Sequence, residues 1–196
     1  MSKKFTENER ELIRQKLKDA AMDCLQLYGL RKTSVDELVQ RATISKGAFY
    51  SFYASKELLF FDVLLDFHET VEQLSMERLA QLPQPITANS LADFLSELFH
   101  VAEGTVFLKL MQTGELELLM RKLPDEVVRE HQAHDVDFST RMAQLLPNQS
   151  EEQSALFAAG MRGLFLLLMH RREVCSELFP EVLHKLILGF CKQFID

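Results

Sequence analysis

The stretch from Thr33 to Glu57, TSVDELVQRATISKGAFYSFYASKE, restricts the possible folds of this chain more than any other segment. Ser34 followed by Glu37 has the capping-box form, a hydroxyl and a carboxylate three residues apart that can satisfy each other's free amides. A short helix is therefore predicted from about Val35 to Arg41, with Val35, Leu38, Val39 and Ala42 on one side. Ala42-Thr43-Ile44 reads as a break. Ser45 can cap a second helix, roughly Lys46 to Phe52, whose inward side holds Ala48 (or Phe49) and Phe52. Ser55 caps a third helix that opens Lys56-Glu57-Leu58.

Two short helices joined by a three- or four-residue turn form the helix-turn-helix pattern, whose second helix enters the DNA major groove. The groove side of that helix carries Ser45, Lys46, Gly47, Tyr50 and Ser51. These are small donors, one cation and one phenol, a set suited to phosphates and base edges. On spacing alone, the same residues also fit the corner of a helical bundle with an exposed polar side.

The residue identities go further than the spacing. Ala20-Ala21, Tyr28-Gly29, Thr33-Ser34-Val35, Ser45-Lys46-Gly47-Ala48-Phe49-Tyr50 and Ser55-Lys56-Glu57-Leu58 stand in register. Over about the first 60 residues this pattern resembles the tetracycline-repressor (TetR) family of bacterial transcription regulators. Thr43 stands where that family often has Gly, and Tyr53 where Phe is usual. The resemblance implies a homodimeric, ligand-responsive repressor of double-stranded operator DNA. It further implies that Thr33, Ser34, Lys46, Tyr50 and Lys56 hold phosphates, while Ser45, Gly47, Ala48 and Ser51 face bases. Two recognition helices about 34–36 Å apart would require a near-palindromic site.

Charge agrees with this layout. The whole chain carries −7, yet residues 1–56 sum to +4, leaving −11 for the remainder. The basic portion thus coincides with the helix-turn-helix, the asymmetry that phosphate contact requires. No apolar run approaches the ~18 residues of a membrane span. The N-terminal residues lack a secretory core, and Cys24, Cys175 and Cys191 show no metal-type spacing, which fits a reducing cytoplasm. Cys24 falls within an apolar stripe and is expected to be a buried structural thiol.

Elsewhere the chain reads as helix throughout, nine or ten in all, with no convincing strand. Thr6 and Glu9 form a capping box for a helix that Gly29 closes, and Leu30-Arg31-Lys32 is a connector whose two cations approach the DNA backbone. A long helix follows to about Ala80, apolar over much of its circumference, and links head to body. Asn89 or Ser90 caps the next helix, and Gly104, Gly114 and Pro124 divide the following ones. Ser150 with Gln153 starts a helix to about Arg172, and Pro180 begins the last. The expected division is a DNA-binding head over 1–54 and a ligand-binding and dimerisation body over 55–196.

Within the body, Phe99, Phe107, Met111, Phe138, Met142, Met161, Phe165 and Met169 are candidates to line an apolar effector pocket, since Met and Phe adapt to varied guests. Small and apolar residues on the last two long helices, Ala155, Ala159, Gly163, Leu183, Leu186 and Phe190, suit a two-fold four-helix seam. Effector binding is expected to act through the Lys56–Ala80 helix, with a coupling of roughly 1–3 kcal/mol.

Enzymatic readings find little support. There is no nucleophile motif, no phosphate-cradling glycine loop and no cofactor fingerprint. His131 and His134 lie three apart with Asp135 and Asp137 near, but two confident ligands fall short of the three or four that zinc needs. A protein–protein adaptor on the same scaffold is the alternative from another class; it would dispense with the head's basic residues, and Lys46, Tyr50 and Lys56 are present.

Overall fold

A computed structural model describes residues 5–147, 150–174 and 177–195, and the side chains of all of these except 132, 134–137, 139 and 172. Among the described residues there are twelve helices and no strand. They are α1 (Glu7–Leu27), α2 (Gly29–Lys32), α3 (Val35–Ala42), α4 (Lys46–Tyr50), α5 (Lys56–Ala80) and α6 (Ala88–Glu103). Then come α7 (Val106–Gln112), α8 (Glu115–Met120), α9 (Asp125–Gln144), α10 (Glu151–Met169), α11 (Arg171–Val174) and α12 (Phe179–Cys191).

Two of the twelve exceed the sequence expectation, and each has a local cause. The connector at 30–32 is a helical turn, α2, because Gly29 adopts φ +77° and the chain re-enters helix at once with Leu30 buried. The helix expected to run to about Arg172 ends at Met169, where His170 leaves helical geometry, and α11 resumes beyond it. One cap also differs. Thr87 caps α6, and Ser90 is its reciprocal partner three residues on, so the hydroxyl placed as the cap completes the box instead.

The helices gather into two compact units. The first comprises residues 1–69 together with 109–123, the second 70–108 together with 124–196, a different line from a cut after residue 54. In the first unit, α1 packs on α3. Leu17, Ala20, Ala21, Cys24 and Leu25 of α1 are buried, as are Leu38, Val39 and Ala42 of α3 and Phe49 of α4. The residues of α1 recur every three or four positions, as a helix with one buried stripe demands. Leu59, Phe60 and Val63 extend this interior along α5, and Leu119 and Leu123 add to it from the 109–123 segment.

In the second unit, α12 packs on α6 and α10 on α9. Its core contains Leu91, Leu95 and Phe99 of α6, Met142 of α9, Phe157 and Leu168 of α10, and Leu183, Ile187 and Cys191 of α12. Phe157 is fully buried, with ring centroids of Phe190 and Phe194 at 5.2 and 5.3 Å. Each such aromatic contributes roughly 1.5–3 kcal/mol by burial. No helix among the described residues is long and apolar enough to cross a membrane.

Candidate nucleic-acid interface

The helix-turn-helix begins at Ser34, whose Oγ accepts from the Glu37 amide at 3.2 Å. The expected reciprocal half of that box gives way to a contact along the helix, where Glu37 faces Arg41 at 3.4 Å. Thr43 ends α3 in the left-handed region at φ 58°, ψ 46°. A β-branched residue is strained there, and the position is the one where the sequence lacks the expected glycine. The turn therefore keeps the geometry of a glycine turn at the expense of local strain.

Ser45 then caps α4, its Oγ accepting from the Ala48 amide at 3.1 Å. The inward residue of α4 is Phe49, fully buried, with Ala48 and Phe52 half-buried. Ser45, Lys46, Gly47, Tyr50 and Ser51 are all exposed. Around Gly47 the space is open, so the backbone of α4 can approach a partner closely. The Ser51 hydroxyl donates to the Ala48 carbonyl at 2.6 Å. The Tyr50 ring stands edge-on to Phe49, leaving its phenol outward.

Lys46 is not idle in the absence of a partner. Its Nζ lies 2.8 Å and 3.1 Å from the two carboxylate oxygens of Asp36, in the first turn of α3. That hydrogen bond and its charge push the ammonium above its ordinary range. Asp36 was not singled out from sequence, because nothing in a string shows that the first turn of α3 and the first residue of α4 are neighbours.

Two of the expected phosphate ligands have other work inside this unit. Thr33 is 1% exposed, and its hydroxyl donates to the Gly29 carbonyl at 2.8 Å. Lys56 is half-buried and donates to the carbonyls of Thr33 and, at 3.2 Å, of Leu30. Both side chains thus hold the path between α2 and α3. Ser34 remains at the exposed entrance to α3.

Three polar contacts in this unit escaped the sequence reading altogether. Glu115 of α8 accepts from the Leu30 amide at 2.7 Å, across 85 positions of sequence. Lys122 reaches Glu57 at 3.0 Å. Burial alone would raise the Glu57 carboxyl, but the Lys122 hydrogen bond and the neighbouring cations hold it below its ordinary value. Tyr53, the departure from Phe, donates to Asp62 at 2.6 Å, while Lys18 of α1 bridges Asp62 and Asp66 at 3.2 and 2.8 Å. Burial and the Asp62 hydrogen bond both push the Tyr53 phenol upward. Asp62 and Asp66, four apart on one helix face, were the only hint of that third network in the sequence.

Of the residues expected to line a pocket, Phe99, Phe138, Met142, Met161, Phe165 and Met169 all pack in or against the core of the second unit. Phe107 is buried, and Met111 falls in the 109–123 segment of the first unit. Of the expected dimer residues, Ala155, Ala159 and Gly163 of α10 and Leu186 of α12 are exposed. Leu183 is core within its own chain, and Phe190 lies over Gly160, where an added Cβ would collide with its ring. Around His131, which is buried, the side chains of His134, Asp135 and Asp137 fall outside the described residues. Among the described residues no group of three potential metal ligands forms.

Residues 17–63 match the model of the bacterial regulatory proteins, tetR family. An uncharacterized HTH-type transcriptional regulator of Bacillus subtilis (strain 168), YdgC, is 32% identical over 62 residues, which is 32% of this chain and 32% of that protein. The fold match reaches much further than the sequence match. SCO4454, a TetR-family transcriptional regulator from Streptomyces coelicolor, superposes with a TM-score of 0.64 at 14% identity, covering 95% of this chain and 97% of that one. The transcriptional regulator FadR from Bacillus subtilis, solved in complex with stearoyl-CoA, gives 0.62 at 14% identity, covering 93% and 99%. Residues 17–63 thus carry a tetR-type helix-turn-helix sequence, and the helical architecture of nearly the whole chain is similar to that of solved TetR-family transcriptional regulators.

Proposed function

We propose that this protein is a cytoplasmic homodimeric repressor that binds a near-palindromic operator and leaves it when a small lipophilic effector binds. The observation that carries the reading is the outward face of α4. Ser45, Lys46, Gly47, Tyr50 and Ser51 are exposed together on a helix seated by the buried Phe49, with open space above Gly47. Lys46 supplies the one strong cation on that face, so direct base readout is modest and the shape of the duplex contributes to specificity.

Dimerisation is supported by a stripe on α10. Leu156 and Leu166 are 57% and 56% exposed, and Ala155, Ala159 and Gly163 are exposed on the same helix. Leu186 on α12 is 47% exposed, and Gly163 and Gly189 have open space where a Cβ would stand. Exposed leucines together with small residues suit close packing against a second copy. The lipophilic effector is supported by the Phe- and Met-rich packing of α6, α9 and α10, and by the likeness of the fold to a regulator that holds stearoyl-CoA. α5 contributes residues to both compact units, which supports its reading as the carrier of the response.

The test is a fluorescence-anisotropy titration of the full chain on the duplex upstream of its own gene, repeated across a salt series. Wild type should bind with a steep loss of affinity as salt rises. Lys46→Ala should weaken binding about ten-fold or more and lower the salt slope by about one. Binding that ignores salt, or survives Lys46→Ala unchanged, would sink the reading.

A further inference from the structure

The short helix α2 is gripped at both ends by charged side chains from distant parts of the chain. At its amide end, the Glu115 carboxylate accepts from the Leu30 N–H at 2.7 Å. At its carbonyl end, the Lys56 ammonium donates to the carbonyls of Leu30 and Thr33. The two grips are themselves joined. Glu57, next to Lys56 in the first turn of α5, pairs with Lys122 at 3.0 Å, and Lys122 follows α8, whose first residue is Glu115. The result is a closed ring of four charged residues, Glu115, Lys56, Glu57 and Lys122, around α2, the start of α5, and α8.

The fit at the Glu115 end is close. Gly29 takes φ +77°, and a Cβ added there would stand 2.8 Å from one Glu115 carboxylate oxygen and 3.2 Å from the other. The carboxylate thus stands against the open side of Gly29, whose φ of +77° itself favours glycine at the turn. Between the two grips, Arg31 and Lys32 are exposed, and among the described residues neither is paired with an acid. The other cations near the helix-turn-helix are engaged: Lys46 with Asp36, Arg41 with Tyr28 and Glu37, Arg10 over the Phe52 ring, and Lys56 within the ring itself.

We propose that Glu115 is a positioning residue for DNA binding: it holds α2 so that Arg31 and Lys32 form a second, fixed phosphate contact in addition to that of α4. The proposal rests on the DNA-binding reading above and adds to it a determinant that itself never touches the duplex. A long cation on an unanchored connector loses much of its contact energy to ordering, whereas two cations on a clamped helical turn lose less. Losing one charge-assisted hydrogen bond corresponds to about a ten-fold change in an equilibrium constant.

The experiment compares full-length wild type, Glu115→Ala, Glu115→Gln and the double variant Arg31→Ala/Lys32→Ala on a random-sequence duplex and on the upstream duplex, across a salt series. Hydrogen exchange at the Leu30 amide is followed in parallel. Glu115→Ala should bind both duplexes about ten-fold more weakly and expose the Leu30 amide. Glu115→Gln, which keeps an acceptor for that amide, should recover most of the affinity. Arg31→Ala/Lys32→Ala should lower the salt slope by roughly two, one for each lost phosphate contact.

If Glu115→Ala does not fold, Glu115→Ser takes its place, being too short to reach Leu30 yet compatible with the first turn of a helix. Wild-type binding together with unchanged affinity in Glu115→Ala, or an unchanged salt slope in the double variant, overturns this proposal alone. Equal weakening of the Ala and Gln variants with the Leu30 amide still protected overturns it too. Absence of salt-sensitive binding by wild type overturns the DNA reading and this one with it.

Discussion

The two compact units both have apolar interiors but differ in the polar contacts that supplement them. Where the first unit meets its helix-turn-helix, single polar atoms fix the geometry: the Glu115 carboxylate on the Leu30 amide, Tyr53 on Asp62, Lys18 between Asp62 and Asp66. The second is held chiefly by apolar volume, with Phe157, Phe190 and Phe194 clustered in tilted and edge-on contacts among leucines on α6, α10 and α12. Polar geometry fails when one atom is wrong, whereas apolar volume accepts many fillings. The tetR family model matches residues 17–63, while the fold of the Streptomyces coelicolor regulator is matched over 95% of the chain at 14% identity.

The largest test of this contrast lies in the second unit. Phe157→Ala removes a fully buried ring that touches two others, and should cost about 3–5 kcal/mol in urea unfolding. Phe157→Leu keeps most of the volume and should cost less than half of that. Equal damage from both substitutions would mean that ring identity matters as much as volume, and the contrast would break.

The same contrast explains what could be read in advance. Helix caps, turn residues and recognition-face residues act within a few positions of sequence, so Thr6, Ser34, Ser45 and Ser150 were legible as caps. The outward set from Ser45 to Ser51 was legible for the same reason. Contacts across 85 or 65 positions, those of Glu115 and Lys122, leave no local trace. Thr33 and Lys56 were legible as members of a motif, but nothing in the string shows that the Thr33 hydroxyl also donates to the Gly29 carbonyl. In the second unit, periodicity showed which helices are apolar without showing which apolar residue turns inward. Leu183 and Leu186 lie three apart on α12, yet the first is core and the second is 47% exposed.

A smaller effect, from the polar side of the contrast, is tied to pH. The folded protein holds the Glu57 carboxyl below its ordinary value of 4.5, because Lys122 and nearby cations favour the charged form more than burial opposes it. A depressed carboxyl contributes stability that is present above its unfolded value and is lost as pH falls through the folded one. Wild type should therefore lose stability as the pH drops below about 4.5, and Glu57→Gln should flatten that part of the curve. At neutral pH, Glu57→Gln should cost about 1 kcal/mol, since Lys122 is well exposed and solvent weakens the pair. Thermal melts of both proteins between pH 3 and 7, approximately, would check it; parallel curves would remove Glu57 from the polar scaffold.

The smallest effect concerns the turn itself, and its sign runs against ordinary expectation. Replacing threonine by glycine usually destabilises a protein, because glycine gives the unfolded chain more freedom to lose. At position 43 the native backbone sits at φ 58°, ψ 46°, a region that costs a β-branched residue about 1–2 kcal/mol and glycine almost nothing. Thr43 is exposed, so the methyl and hydroxyl give little back through packing. Relief of strain should exceed the added chain entropy, and Thr43→Gly should stabilise the protein by roughly 0.5 kcal/mol, read as a higher urea midpoint at unchanged slope. Because the turn keeps its shape, affinity for DNA should stay within about two-fold of wild type. A lower midpoint would show that contacts of the threonine side chain outweigh the strain, and that this turn is held by more than backbone geometry.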